Sequence, residues 1–321
     1  MNTVTTILTN NIRLLTAHGQ RARWFLRLAF ALLPLLSGMA AGEALPPMAI
    51  GFYTPVVRDI PRKDVEVSLR FWIEELARSL NLTYKPVQFY DDLDTMRRDL
   101  GSGKLNFIVA TSMGVAQHFP LDELSDGFSG YKNTPDHLFL VVRRDAGIRG
   151  PADLAGKRIG LLDGDELSNV YIETLMMKAW GKPDWKRLGP ITRELRSGKL
   201  THRLFFNQVD AALMLRSGYE AALALNPQIG QRMEVLEDFT FKTRSPHIGL
   251  FSSLVRPEHR ELITQATLKL NDTPRGRQVM QIYQADTMVR TPVHDLDPYR
   301  ELLETHRTLL ARAGKAGSGH K

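Results

Sequence analysis

The chain has 321 residues, 43% hydrophobic and 24% charged, an ordinary globular composition long enough for two modest lobes. It contains no cysteine, which excludes disulfides, thiolate metal sites, cysteine nucleophiles and a lipid-anchoring thiol. The formal charge is +7, but Arg13, Arg21, Arg23 and Arg27 against Glu43 put +3 of it in residues 1–44. The remaining +4 is a mild field that helps an anionic ligand approach and argues against nucleic acid as a partner.

The first element is "RARWFLRLAFALLPLLSGMAAGEA", with a basic start, an apolar run from Leu28 to Ala40, and small residues suited to cleavage after Ala40, Gly42 or Ala44. That is the layout of a secretory signal, and the run falls short of the ~20 residues a membrane-spanning helix needs. Residues 1–44 are therefore expected to be an export signal, and the mature protein to be periplasmic.

From Met48 onward, apolar runs alternate with amphipathic helices. "MAIGFYTPVV" reads as a strand ending in a loop, and "KDVEVSLRFWIEELARSL" as a helix with Val67, Phe71, Leu76 and Leu80 along one face. "LTYKPVQFY" is the next strand, and "DDLDTMRRDLGSG" is a helix that begins at acidic residues and stops at glycine. "NFIVAT" runs directly into the helix "SMGVAQHF". After the turn "YKNTPD", "HLFLVVRRD" is a long apolar strand.

The pattern then repeats. Strand "KRIGLLD" precedes helix "SNVYIETLMMKAW", and a short strand lies near "WKRLGPI". Helix "HRLFFNQ", strand "VDAALML" and helix "GYEAALAL" come next, followed by strands "MEVLEDF" and "SPHIGLFSS". "PEHRELITQATLKLN", "PRGRQVMQIYQ" and "YRELLETHRTLLARAG" are helical, and the tail "KAGSGHK" reads as disordered. Short apolar strands separated by helices imply an α/β fold of two lobes, each a mainly parallel sheet flanked by helices. No proline- or glycine-rich linker separates the blocks, so the lobes are expected to be joined by strands, with a ligand cleft between them.

The stretch "IRGPADLAGKRIGLLDGDELSN" invites a nucleotide reading that its spacing refuses. Gly156-Lys157 precedes the strand and is followed by Arg158, which breaks the P-loop pattern, and Gly160 and Gly164 do not supply a dinucleotide fingerprint. Asp163 and Asp165 lack the other ligands of a calcium loop. What remains is a helix start at Ser168 or Asn169, both good N-caps, whose exposed N–H groups suit an anion. Thr111 and Ser112 raise the same possibility where "NFIVAT" meets its helix.

These residues, "YKNTPDHLFLVVRRDAGIRGPADLAGKRIGLLDGDELSNVYIETLM" with "SGKLNFIVAT" and "THRLFFNQVDAAL", resemble the phosphate/phosphite/phosphonate substrate-binding proteins of ABC transporters, which have the type II periplasmic-binding fold. The likeness covers residues 48 to 290. It implies lobe 1 from 45–138 plus 247–321 and lobe 2 from 139–246, joined by crossover strands near 137–144 and 244–250 and closing over a ligand. It makes "DLAGKRIG" scaffolding and carries ligand contact to Tyr53, Thr54, Thr111, Ser112, Tyr131, Ser168, Asn169, His202 and Asp210. Asp210 would be the carboxylate that can meet an amine. Read without the resemblance, His202 is an ordinary helix-start histidine and Asp210 a strand-end residue bonded to local backbone.

The sequence departs from the family at the turn, where Ser-x-Ser-Gly is replaced by a segment carrying Asp163, Asp165 and Glu166. Three carboxylates oppose simple phosphate and favour an organic or zwitterionic ligand, unless they face solvent. Arg58, Arg62 and Lys63 offer compensating charge. The resulting expectation is a monomeric periplasmic protein that captures a small anionic or zwitterionic ligand for a membrane permease, or reports it to a sensor kinase, with no cofactor or metal. A degenerate cleft kept for sensing or interaction is a further reading. An enzyme on the same scaffold would use His202 as base and Ser112 or Ser168 as nucleophile, but no nucleophile elbow or zinc-protease motif is present, and His118, His137 and His247 lack metal-ligand spacing.

Overall fold

The computed structural model describes residues 46–56, 61–131, 133, 137–239, 247–282 and 285–318. Residues 1–44, expected to direct export, Arg58 and most of the turn "KNTPD" lie outside the described residues. In chain order the elements begin with β1 (Ile50–Tyr53), α1 (Arg62–Leu80), β2 (Gln88–Tyr90), α2 (Leu93–Gly101), β3 (Phe107–Thr111) and α3 (Ser112–His118). Next come β4 (Leu124–Ser125), β5 (Gly127–Tyr131), β6 (Leu138–Arg143), β7 (Ile159–Leu162), α4 (Glu166–Trp180), β8 (Ile191–Glu194), α5 (Ser197–Phe205) and β9 (Ala211–Leu215). The chain ends with α6 (Arg216–Leu225), α7 (Gln228–Arg232), β10 (Met233–Phe239), β11 (His247–Ser252), α8 (Pro257–Lys269), α9 (Pro274–Ile282), β12 (Thr287–Thr291) and α10 (Asp297–Ser318).

Two five-stranded sheets result, ordered β2-β1-β3-β11-β4 and β10-β6-β9-β7-β8. In each, three neighbouring strands are parallel: β2, β1 and β3 in the first, β9, β7 and β8 in the second. The strands nearest the crossovers run the other way, β11 antiparallel to β3 and β6 antiparallel to β9. The sheets are thus mixed, because a chain that leaves one sheet and returns must reverse direction as it enters the other. β5 and β12 form a separate antiparallel ribbon, and β12 occupies residues between two helical segments where no strand was expected.

The continuous apolar run of β6 has a direct explanation in packing. Leu138, Leu140 and Val142 face one side, with Ile172, Leu175 and Met176 of α4. Phe139 and Val141 face the other, with Leu200 and Leu204 of α5 and Tyr219 of α6. A strand covered on both faces has no polar side to alternate with.

Helix α1 turns inward a face that shares Leu76 with the one its sequence suggested but leaves Val67 and Phe71 outside. Val65, Ser68, Leu69, Trp72, Ile73 and Leu76 are buried, an unbroken i, i+3, i+4, i+7 stripe, whereas Val67 and Phe71 are exposed at 43% and 56%. Trp72 decides the orientation: its ring meets Phe128 edge-on at 5.5 Å within a cluster that includes Phe107 and Phe251. Two other boundaries move. The strand placed near "WKRLGPI" forms slightly later as β8, and α10 runs on to Ser318, into the tail read as disordered.

The terminal helix contacts both lobes. Its Tyr299, Leu302 and Leu303 make one buried cluster with Met113 of α3 and Val170 of α4, and His306 Nε2 lies 2.7 Å from the Glu173 carboxylate.

Candidate functional site

Parallel α/β sheets place the carboxyl ends of their strands and the starts of the following helices at one edge. In the first lobe β1 delivers Tyr53 and Thr54 there, and β3 delivers Thr111 and Ser112. In the second lobe β7 delivers Asp163, Gly164 and Asp165 to the start of α4; Gly164 takes φ +61°, which suits a residue without Cβ.

The start of α4 lies earlier than its sequence suggested. Asp165, not Ser168 or Asn169, is the N-cap: its carboxylate accepts the Ser168 N–H at 2.9 Å and also the Ser168 hydroxyl. Ser168 is fully buried, so its hydroxyl serves the cap instead of a ligand. Asn169 lies one turn into the helix, where its side-chain oxygen accepts both terminal nitrogens of Arg193 at 3.2 Å. Arg193, in the middle of β8, is a cation beside this edge that the misplaced strand had hidden.

The two lobes meet at Glu166, the first residue of α4. Tyr53 Oη donates to Glu166 Oε1 at 2.8 Å, and Thr111 Oγ1 donates to Oε2 at 3.4 Å. Thr111 also caps α3, its hydroxyl accepting the Gly114 N–H at 3.2 Å. One carboxylate from the second lobe is therefore held at both oxygens by hydroxyls from the first. The three acids of the turn have separate positions: Asp163 is exposed, Asp165 caps, and Glu166 reaches across. Glu166 was read as an acid that opposes a simple anion unless it faces solvent or meets a cationic part of the ligand, and nothing in its sequence position signalled that it would span the lobes.

The other expected site residues divide clearly. Ser112 is buried beside Thr111 at the first turn of α3. Thr54 turns its hydroxyl toward the Asp91 carboxylate and the Tyr90 carbonyl, the latter at 3.3 Å. Tyr131 ends β5, where the chain leaves the first lobe, and its carbonyl accepts the Asp286 N–H at 2.8 Å. Arg62 and Lys63 begin α1; Arg62 pairs with Glu66 at 3.1 Å and lies over the Phe89 ring.

His202 and Asp210 are not brought to this edge. His202 is exposed and is the sixth residue of α5, about 7.5 Å along the axis from the helix start. The start itself is occupied by Ser197, whose hydroxyl accepts the Leu215 N–H at 3.0 Å. Asp210 precedes β9 and so lies at the amino-terminal edge of the parallel strands, opposite the cleft. Its carboxylate takes Arg158 N, Nε and Nη2 at 2.9, 3.0 and 2.7 Å, and Arg143 Nη1 at 3.1 Å. Those hydrogen bonds from Arg158 hold its pKa down at about 2. It is the strand-end residue that its local sequence allowed, and both its carboxylate oxygens accept structural hydrogen bonds. Among the described residues no group of three or more His, Asp or Glu could hold a metal ion.

Comparison with known proteins agrees with the fold. A search of curated proteins finds no match. Among solved structures, a binding protein component of an ABC phosphonate transporter from Pseudomonas aeruginosa is 13% identical with TM-score 0.59, covering 84% of this chain and 89% of that one. PhnD1 from Prochlorococcus marinus, solved with methylphosphonate, is 12% identical with TM-score 0.58, covering 82% and 97%. A Xanthomonas citri protein solved with ATP is 9% identical with TM-score 0.61, covering 83% and 98%. At such identities these structures establish the shared two-lobed fold. Residues 60–296 match the family described as "ABC transporter, phosphonate, periplasmic substrate-binding protein". With that match spanning most of the sequence, the chain belongs to the periplasmic substrate-binding proteins of phosphonate ABC transporters.

Proposed function

We propose that the cleft captures a small organic solute bearing a phosphonate or similar oxyanion, preferably one with a cationic group as well, and presents it to a membrane permease. The observation that carries this reading is the pair of hydroxyls on Tyr53 and Thr111, which converge on two oxygens of one carboxylate. Donors spaced to hold a carboxylate are also spaced to hold two oxygens of a phosphonate. The preference for a zwitterion follows from charge. A bare dianion entering beside Glu166 meets repulsion in a partly desolvated cleft, whereas an ammonium group offers Glu166 a partner.

A thermal-shift series tests it with 2-aminoethylphosphonate, methylphosphonate, phosphate, phosphite and small organic acids. Ligand at about a hundred times its Kd stabilises by about 2.7 kcal/mol, which for a chain of this size is a rise of roughly 4–5 °C in Tm. The aminophosphonate is expected to give the largest shift. No shift with any of these compounds overturns the reading.

Export by residues 1–44 belongs to the same proposal, supported by the basic and apolar pattern and by the periplasmic family. Mass spectrometry of the secreted protein should find a new N-terminus at Ala41, Glu43 or Leu45. An intact N-terminus on exported protein would count against cleavage.

A further inference from the structure

We infer that Glu166 is an interlobe latch, a tethered anion that ties the second lobe to the first through Tyr53 and Thr111 and must release before a solute can use those hydroxyls. The residue stands at the first position of α4, on the second lobe. Its two carboxylate oxygens engage side chains that arrive from separate strands of the first lobe, β1 and β3, at 2.8 and 3.4 Å. Tyr53 is only 8% exposed and Thr111 7%, so both donors sit away from bulk water, in surroundings that strengthen a hydrogen bond to a charged group.

The neighbourhood keeps the latch in register. Asp165 fixes the first turn of α4 by capping it, so the Glu166 backbone has little freedom. Gly114 leaves room for the Thr111 hydroxyl that holds the carboxylate: a Cβ built there would fall 2.6 Å from Thr111 Oγ1. On its far side the same pair of helices is joined by the apolar contact of α10 with Met113 and Val170. The polar tie and the apolar cluster thus hold α3 and α4 together at separate points.

This goes beyond solute capture but rests on that reading in one respect, the assumption that an incoming oxyanion needs the same hydroxyls. A latch of this kind makes binding a competition. The solute's anion displaces a built-in one, which lowers affinity and slows association by the fraction of time the latch is shut.

The test uses the chain's freedom from cysteine, which lets Lys85→Cys and Lys186→Cys, both exposed and on opposite lobes, be spin-labelled without background. Pulsed electron–electron distance measurement is made on the labelled protein with Glu166, with Glu166→Ala, with Glu166→Gln and with Tyr53→Phe. The expected result is a narrow distribution with Glu166, a longer and broader one with Ala or with Phe at position 53, and an intermediate one with Gln, which keeps an acceptor but no charge. Identical distributions for all four overturn the latch.

Stopped-flow binding of methylphosphonate supplies the second readout. Glu166→Ala is expected to raise the association rate about tenfold or more, since a hydrogen bond to a charged group carries roughly that factor. An unchanged or slower rate with an unchanged distance distribution also overturns the latch, while leaving solute capture standing. If methylphosphonate binds neither protein but the distributions still differ, the latch stands and the phosphonate reading falls.

Discussion

Gly249→Ala is expected to destabilise the protein by about 3 kcal/mol, the upper end of the usual cost of overpacking a core. Gly249 lies in β11, paired with Val109 of β3, where β5 crosses against it backbone to backbone. A Cβ at this position would fall 2.2 Å from the Phe128 carbonyl oxygen and 2.8 Å from the Phe107 ring. The approach is mutual, since a Cβ on Gly127 would fall 2.3 Å from the Gly249 carbonyl oxygen. Neither obstacle is free to retreat. Phe107 stacks on Phe128 at 4.4 Å and meets Phe251 at 4.8 Å, and the Gly249 N–H is fixed by Ser129 Oγ at 2.9 Å. Thermal denaturation should show a fall of roughly 5 °C in Tm. Gly150→Ala serves as the control, because no atom lies within 4 Å of its added methyl group and its backbone is extended; its change should stay within about 0.5 kcal/mol. Equal behaviour of the two variants would remove the close-approach account.

Asp210→Ala is expected to cost about 2–3 kcal/mol. It leaves the Arg158 backbone N–H without its acceptor and strips one of two carboxylates from Arg143, which is only 11% exposed and keeps Asp145 at 2.7 Å. Fully buried pairs lose about 3–5 kcal/mol when broken, and the figure here is lower because the Arg158 side chain is 37% exposed. Asp210→Asn tests the charge specifically. The folded pKa of about 2 lies below the ordinary carboxylate value, so the ionised form stabilises the fold above pH 4. That contribution is lost as pH falls from about 4 toward 2, where the folded state finally takes up the proton. Denaturant unfolding over this window should show a shallower decline for Asp210→Asn than for the unaltered protein; parallel curves would refute the assignment. Glu261 is also held down at about 2, by Arg290, but both members of that pair are half exposed, and its replacement should matter little.

How far the sequence could be read depends on whether a signal is local or tertiary. The apolar run of β6, the acidic start of α2 at its Asp92 cap and the strand-to-helix step at Thr111 are local patterns, and each led to the right element. The inward face of α1 was not legible in the same way, since both Val67-Phe71 and Leu69-Trp72-Leu76 have helical spacing. What separates them is the Phe128 ring waiting under Trp72, a partner more than fifty residues away.

The candidate site shows the same division. Tyr53 and Thr111 were reachable as strand ends, but "DGDELSN" offers several capping residues in a row, and local chemistry does not choose among them. The earliest workable cap, Asp165, starts the helix sooner, which withdraws Ser168 and brings Glu166 forward. His202 and Asp210 were carried in by resemblance and placed by the fold elsewhere. Asp210 stands before its strand, where a sheet edge faces away from the cleft, and His202 is beyond the helix start that a ligand would meet.

The terminal helix constrains how the molecule can move. A clamshell that gapes widely would strip Tyr299, Leu302 and Leu303 from either Met113 or Val170 and wet a greasy seam. Rolling around α10, as around an axle, keeps that seam dry while the polar rim parts.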